Sequence, residues 1–276
     1  MAGILYLVPT PIGNLGDISQ RIADTLESVD FIAAEDTRVT LKLLNHLGLK
    51  KPLISYYRHN TEAGGQAVLG RLLAGESCAL VTDAGTPAVS DPGEDLVRLC
   101  AQSGVEVVAI PGPCALITAL SVSGLPTGRF TFEGFLSTSR KARRQHLQSL
   151  VHEPRTMVFY EAPHKLNGTL TDLLEAFGDR PISLCRELSK LHEETIRTTL
   201  SQAVTLYAEN PPKGEFVLVV AGAAPAEETA ATLEEGVALV QSRREEGLRM
   251  KEAVLEVAEA TGLNKNELYA AVLKAE

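Results

Sequence analysis

Two aspartates, two glycines and two prolines share the stretch Thr82-Asp83-Ala84-Gly85-Thr86-Pro87-Ala88-Val89-Ser90-Asp91-Pro92-Gly93, which has neither helical nor strand periodicity. A segment of this kind is too long for a turn. Its glycines let backbone approach a ligand closely, its prolines stiffen it, and its carboxylates supply acceptors. Four further segments invite the same scrutiny. Pro9-Thr10-Pro11-Ile12-Gly13-Asn14-Leu15-Gly16-Asp17 is too rigid for a phosphate cradle, because two prolines fix φ and remove amide donors. Ala34-Glu35-Asp36-Thr37-Arg38 sets two carboxylates beside a guanidinium; Asp36 or Thr37 can cap a helix, which leaves Glu35 and Arg38 as substrate contacts. Ile110-Pro111-Gly112-Pro113-Cys114-Ala115 is a second stiff loop of small residues, and Ser137-Thr138-Ser139-Arg140-Lys141-Ala142-Arg143-Arg144 concentrates cations. No G-x-G-x-x-G follows a strand and no G-x-x-x-x-G-K-[ST] occurs, so NAD and P-loop nucleotides are disfavoured. A cofactor without phosphates fits better.

These loops need a scaffold, and the periodicity of the chain supplies one. Short Val-, Ile- and Leu-rich runs at Ile4 to Val8, Phe31 to Ala34, Leu53 to Ser55, Cys78 to Thr82 and Val105 to Ile110 read as parallel strands. Between them Ser19 to Val29, Thr37 to His46, Thr61 to Ala74 and Glu94 to Ser103 have helical spacing. The chemistry-bearing loops then follow the strands, where open α/β sheets bind ligands. After the break at Pro126 to Gly128 a mixed sheet is expected from Phe130 to Phe135, Thr156 to Tyr160, Ile182 to Glu187, Thr195 to Leu200 and Phe216 to Ala221, with few intervening helices and the cationic run lying before one of them. Gly222 to Thr229 reads as a linker. Beyond it Lys251 to Thr261 and Lys265 to Lys274 read as helices joined by Gly262, Leu263 and Asn264, the spacing of a helix-turn-helix or of a simple αα-hairpin, with Asn264 and Glu267 placed as in a capping box. The expected domains are 1–123, 124–222 and 223–276.

The 276 residues carry 26 Lys plus Arg against 35 Asp plus Glu, and this net charge of −9 disfavours a protein that coats nucleic acid by bulk electrostatics. Cys78, Cys100, Cys114 and Cys185 form no C-x-x-C pair, so no metal site is expected and they read as reduced thiols of a cytosolic protein. The first residues lack the basic start and long apolar stretch of a signal peptide, and Pro and Gly interrupt the charge-free stretch Val107 to Gly128, so no membrane span is expected.

Five runs, Leu7-Val8-Pro9-Thr10-Pro11-Ile12-Gly13-Asn14-Leu15, Ala34 to Arg38, Asp83 to Gly93, Ile110 to Pro113 and Phe159-Tyr160-Glu161-Ala162-Pro163-His164, together resemble the tetrapyrrole-methylase fold family, in the branch that methylates small-subunit ribosomal RNA. The similarity extends to about Gly222, and the C-terminal helices resemble the helix-turn-helix extension of that branch. The resemblance implies a class III methyltransferase of two α/β domains with a helical extension. It implies S-adenosylmethionine as cofactor, held between the domains, and the ribose 2′-hydroxyl of a cytidine in 16S ribosomal RNA as acceptor. Carried onto this chain, the cofactor contacts are Pro9, Gly85, Thr86, Ala88, Val89, Cys114, Ala115, Glu161, Ala162, Leu188, Gly214 and Glu215. Where many relatives of the wider fold have Gly-Asp-Pro this chain has Gly85-Thr86-Pro87, so no carboxylate contact transfers to Thr86. Homodimers are common in the fold, and the implied setting is the cytoplasm, with the small ribosomal subunit as partner.

Transfer from a sulfonium to a hydroxyl is an in-line displacement that rewards alignment, and a base helps because the hydroxyl is a weak nucleophile. Candidate groups at strand ends are Asp36, His59, Asp91 and Lys190, with His59 expected on the cofactor side. The cationic run supplies Arg140, Lys141, Arg143 and Arg144 for phosphate contacts, and Asn14, Arg38 and Arg58 could extend the track. The acidic tail from Glu227 onward argues against independent DNA binding, so a helix-turn-helix regulator is the weaker alternative; a tetrapyrrole methylase of the same fold is the nearer one.

Overall fold

The computed structural model describes residues 2–208, 213–224 and 232–275. The chain divides into two compact units, 1–222 and 223–276. In the first unit β1 (Ile4–Leu7), β2 (Phe31–Ala34), β3 (Leu53–Ser55), β4 (Cys78–Val81) and β5 (Glu106–Ala109) form a parallel sheet in the order β3-β2-β4-β1-β5. Strands β2 and β4 are buried at every residue, as continuous apolar strands are when helices cover both faces. Helices α1 (Gln20–Ser28) and α2 (Thr37–His46) pack Ile22, Leu26, Leu43 and Leu44 against Ile32, Ala34, Ala79 and Val81. On the opposite face α3 (Thr61–Leu73) and α4 (Glu94–Gln102) pack Val68, Leu72, Leu96 and Cys100 against Phe31, Ala33, Cys78 and Leu80. Local chemistry starts two of these helices. Ser19 accepts from the Ile22 amide at 3.2 Å ahead of α1, and Asp36 accepts from the Arg38 amide at 2.8 Å ahead of α2.

The order of strands places the site. Neighbours β1 and β4 lead to helices on opposite faces, so their following loops diverge at the carboxyl edge and open a crevice, the switch point of the sheet. An isolated bridge between Thr10 and Gly85 ties the two loops together at its base, with both amides bonded to the facing carbonyls at 2.9 and 3.0 Å.

After α5 (Ala115–Val122), the second half of this unit contains β6 (Phe130–Phe135), α6 (Arg140–Ser149), β7 (Thr156–Glu161), α7 (Leu166–Phe177), β8 (Pro181–Arg186), β9 (Glu194–Thr199), α8 (Leu200–Ala208) and β10 (Phe216–Val220). Its sheet runs β6-β7-β10-β8-β9, parallel only between β6 and β7. One face packs Leu166, Leu170, Leu173, Leu200 and Ala203 from α7 and α8. The other face meets α5 and the loop residues Ile12, Val89 and Cys114, which joins the two sheets. The expectation of few helices here is corrected by α6, α7 and α8. Helix α7 carries the periodic stripe Leu166, Leu170, Leu173, whereas α6 buries only Leu147 among charged residues. Arg140 to Arg144 accordingly lie within the first turns of α6, not ahead of it.

In the second unit α9 (Leu233–Glu245), α10 (Met250–Thr261) and α11 (Lys265–Ala275) share a small core of Val240, Ala253, Val254, Val257, Leu268 and Val272. Gly262 closes α10 in the left-handed conformation at φ +69°, and Asn264 accepts from the Asn266 amide at 2.9 Å to start α11. Of the expected linker, residues 225–229 lie outside the described residues. No helix among the described residues is long and apolar enough to cross a membrane, and no cluster of ligating side chains among them could hold a metal ion.

Candidate active site

A cleft of about 370 Å³ opens at the switch point, a volume suited to a small organic ligand. From the first sheet it is lined by Ile12, by Glu35 after β2, by the loop after β4 and by Cys114 and Ala115 at the start of α5. The second sheet contributes Phe135, Tyr160, Glu161, Ala162, Glu187, Leu188, Lys190 and Glu215. The four non-glycine residues of positive φ among the described residues are Ala88, Ser90, Glu187 and Ser189, all on the two loops that face each other here. Such strain costs free energy and persists where surrounding structure imposes it, which is typical of ligand sites. Thr86 donates to the Pro113 carbonyl at 2.9 Å and Tyr160 holds the Leu116 amide through its hydroxyl at 3.0 Å, so the loops are braced before any ligand arrives.

Of the expected cofactor contacts, Gly85, Thr86, Val89, Cys114, Ala115, Glu161, Ala162, Leu188 and Glu215 line the cleft. The other three, Pro9, Ala88 and Gly214, are not part of the lining. Pro9 packs on Gly112 so tightly that a Cβ there would lie 2.9 Å from the Pro9 Cβ; Ala88 abuts Gly93 in the same way, and Gly214 lies against Glu187. The lining is strongly acidic, with Glu35, Asp83, Asp91, Glu161, Glu187 and Glu215 against Lys190. Buried Glu161 is satisfied within the protein, accepting from the Ala162 amide at 2.8 Å and from the Thr169 hydroxyl at 2.6 Å. A cleft of this charge favours a cation and disfavours phosphate, so the residues present fit a sulfonium cofactor.

The four candidate proton acceptors separate clearly. Asp91 lies in the cleft, and burial followed by the Glu35 charge pushes its carboxyl up to about 6, only partly offset by the Thr82 hydroxyl and Arg58. Thr82 itself donates to Glu35 at 2.6 Å, which holds that carboxylate beside Asp91. Lys190 also lines the cleft but is clamped by Glu187 at 2.9 Å and Glu215 at 3.2 Å; these partners outweigh burial and raise its pKa, so it stays charged and is not a base. Asp36 is the cap of α2 and pairs with Arg38, whose guanidinium holds the carboxyl down at about 2. His59 is corrected as well: although Arg58 beside it is near enough for its charge to act on Asp91, His59 itself stands exposed in the turn after the edge strand β3 and does not line the cleft.

The expected RNA contacts divide in the same manner. Arg143 donates to buried Asp172 of α7 at 2.6 Å, and Arg144 bonds Glu175 at 2.6 Å, so both brace α6 on α7. Replacing Arg143 by Ala should cost roughly 1–3 kcal/mol in chemical denaturation, because it strips Asp172 of its nearest cation. Arg140 and Lys141 are exposed and without a partner among the described residues, Arg58 is exposed near Asp91, Arg38 is exposed but paired, and Asn14 caps a single turn through the Gly16 amide at 2.9 Å.

Comparison with known proteins agrees with this architecture. The family model described as Tetrapyrrole (Corrin/Porphyrin) Methylases matches residues 4–204, and that described as RsmI C-terminal HTH domain matches residues 230–276. The chain is 50% identical over 275 residues to Ribosomal RNA small subunit methyltransferase I of Synechocystis sp., covering 99% of each. It belongs to the ribosomal RNA small subunit methyltransferase I family. The Xylella fastidiosa member of this family is 48% identical, with 97% of this chain and 98% of that one covered. Outside the family, the fold matches uroporphyrin-III C-methyl transferase from Thermus thermophilus, solved with S-adenyl homocysteine, at a TM-score of 0.56 and 19% identity over 79% of this chain and 97% of that one. As a ribosomal RNA small subunit methyltransferase I family member, the protein is a methyltransferase.

Proposed function

We propose that the protein transfers a methyl group from S-adenosylmethionine to the ribose 2′-oxygen of a cytidine in 16S ribosomal RNA, acting within the small ribosomal subunit. The observation that carries this reading is the acidic cleft at the switch point, with the carboxylate of Asp91 in its lining beside Glu35. When bound, S-adenosylmethionine supplies an electrophilic methyl group on a sulfonium. Backbone of the loop after β4 and of Cys114 and Ala115 would hold it, and the cleft carboxylates offset its charge. Asp91 accepts the 2′-hydroxyl proton as that oxygen attacks, and Glu35, fixed by Thr82, keeps the Asp91 carboxyl basic enough for the task.

Arg140 and Lys141 occupy the first turn of α6, where the helix dipole disfavours cations and Ser139 makes no side-chain cap. RNA phosphate there relieves both charges. Converting the pair to alanine should lower the log–log salt slope of RNA binding by about 2 while leaving S-adenosylhomocysteine affinity unchanged. This reading also carries a cytoplasmic location and a homodimer, the latter open to analytical ultracentrifugation.

The direct test offers methyl-labelled S-adenosylmethionine with small ribosomal subunits, with naked 16S RNA and with a tetrapyrrole precursor. Label is expected on RNA, most of all in the subunit. Label on the tetrapyrrole alone would make the protein a small-molecule methylase instead.

A further inference from the structure

Of the seven phenylalanines only Phe135 stands exposed, at 54%, and it stands in the lining of the cleft. Its direction is set by a fault in its strand. Along β6 the pairing with β7 runs Phe130 to Thr156, Thr131 to Met157 and Phe132 to Val158, then skips Glu133 and resumes with Gly134 on Phe159 and Phe135 on Tyr160. Gly134 takes φ +62°, a left-handed conformation that glycine adopts without a Cβ penalty. In an unbroken strand Gly134 would follow Phe132 on the cleft face and Phe135 would point to the opposite side. The one-residue bulge breaks that alternation. Phe135 therefore shares a face with Val158 and Tyr160, and bulges beside functional sites commonly re-aim a side chain in this way.

The ring that results is exposed but firmly backed. Phe135 meets Tyr160 edge to face at 5.5 Å, Tyr160 meets Phe132 at 4.9 Å, and the Tyr160 hydroxyl is fixed by the Leu116 amide. The same loop that carries Asp91 passes beside the bulge, where a Cβ on Gly134 would lie 3.7 Å from Ser90 Oγ. Asp91 is also close enough for its charge to act on the Tyr160 phenol. A rigid, half-open aromatic next to a proton acceptor is what a nucleotide needs if its ribose is to react while its base is held out of the RNA stack.

We propose that Phe135, turned into the cleft by the bulge at Gly134, is the stacking platform for the unpaired nucleobase of the nucleotide being methylated. The proposal rests on the RNA reading above and adds a base-binding subsite to it. Stacking tolerates any base, so Phe135 contributes affinity and orientation for the target nucleotide and not its identity.

The test compares wild type, Phe135→Ala and Phe135→Tyr, using labelled S-adenosylmethionine with small ribosomal subunits and titrating S-adenosylhomocysteine calorimetrically. Phe135→Ala should lower kcat/KM for the subunit about 5- to 100-fold, leave the S-adenosylhomocysteine Kd within about twofold, and melt as wild type does because the ring is half exposed. Phe135→Tyr should restore the rate. An unchanged kcat/KM in Phe135→Ala would refute the platform. A parallel loss of S-adenosylhomocysteine affinity would refute it too, since the ring would then serve the cofactor. If wild type leaves RNA unlabelled while binding S-adenosylhomocysteine, the reading beneath the proposal fails and the platform falls with it.

Discussion

Asp91→Asn is expected to reduce kcat by about 10²- to 10⁴-fold while S-adenosylhomocysteine binds as before. Asparagine preserves the shape of Asp91 but cannot take up the 2′-hydroxyl proton. The wild-type pH profile carries the same information. With the Asp91 carboxyl pushed up to about 6, the rate should climb roughly tenfold per pH unit below that value and level off above it. The sign for stability is opposite. A carboxyl whose folded pKa exceeds its unfolded value of 3.8 binds more protons in the native state, so stability falls as pH rises from about 4 to 6. Asp91→Asn escapes that loss and should melt higher than wild type at neutral pH. Lower activity with greater thermal stability would separate a functional carboxylate from a structural one, and a variant that lost both would count against this role.

The second large effect is expected at Gly85. This residue lines the cleft at φ +88° and exchanges both backbone hydrogen bonds with Thr10, tying the loop after β4 to the loop after β1. A Cβ would find room, 3.5 Å from Ile12 Cγ2 and 3.9 Å from the Pro113 carbonyl, so the penalty comes from backbone conformation, not from a clash. Valine is among the residues least tolerant of positive φ. Gly85→Val should therefore break the bridge or shift the loop and weaken S-adenosylhomocysteine binding by tenfold or more. Thr86→Ser, which keeps the hydroxyl on the Pro113 carbonyl, should change it little. Equal affinity in Gly85→Val and wild type would remove this loop from cofactor binding.

Much of this was legible in the chain because it is local. Strands β2 and β4 are continuous apolar runs, and a strand buried on both faces can look no other way. The small-residue loops announced themselves by composition, and most of their expected contacts do line one cleft. What stayed hidden depends on pairing between distant segments. His59 follows a strand as Asp91 does, but only the order β3-β2-β4-β1-β5 shows that β3 lies at the sheet's edge. Asp91 owes its raised pKa in part to Glu35, which reaches it because β2 and β4 are neighbours. Arg143 reads as a phosphate contact until α7 brings Asp172 beneath it. The aim of Phe135 needed the register against β7, although a lone glycine inside a strand pattern was a visible sign of a bulge.

The most direct measurement is where the methyl group lands. Small subunits labelled by the protein should yield, after alkaline hydrolysis of their RNA, one labelled dinucleotide that survives, because a 2′-O-methyl group removes the oxygen that attacks the adjacent phosphate. Label recovered in mononucleotides would mean methylation of a base, and the account of Asp91 as acceptor of a ribose proton would be wrong.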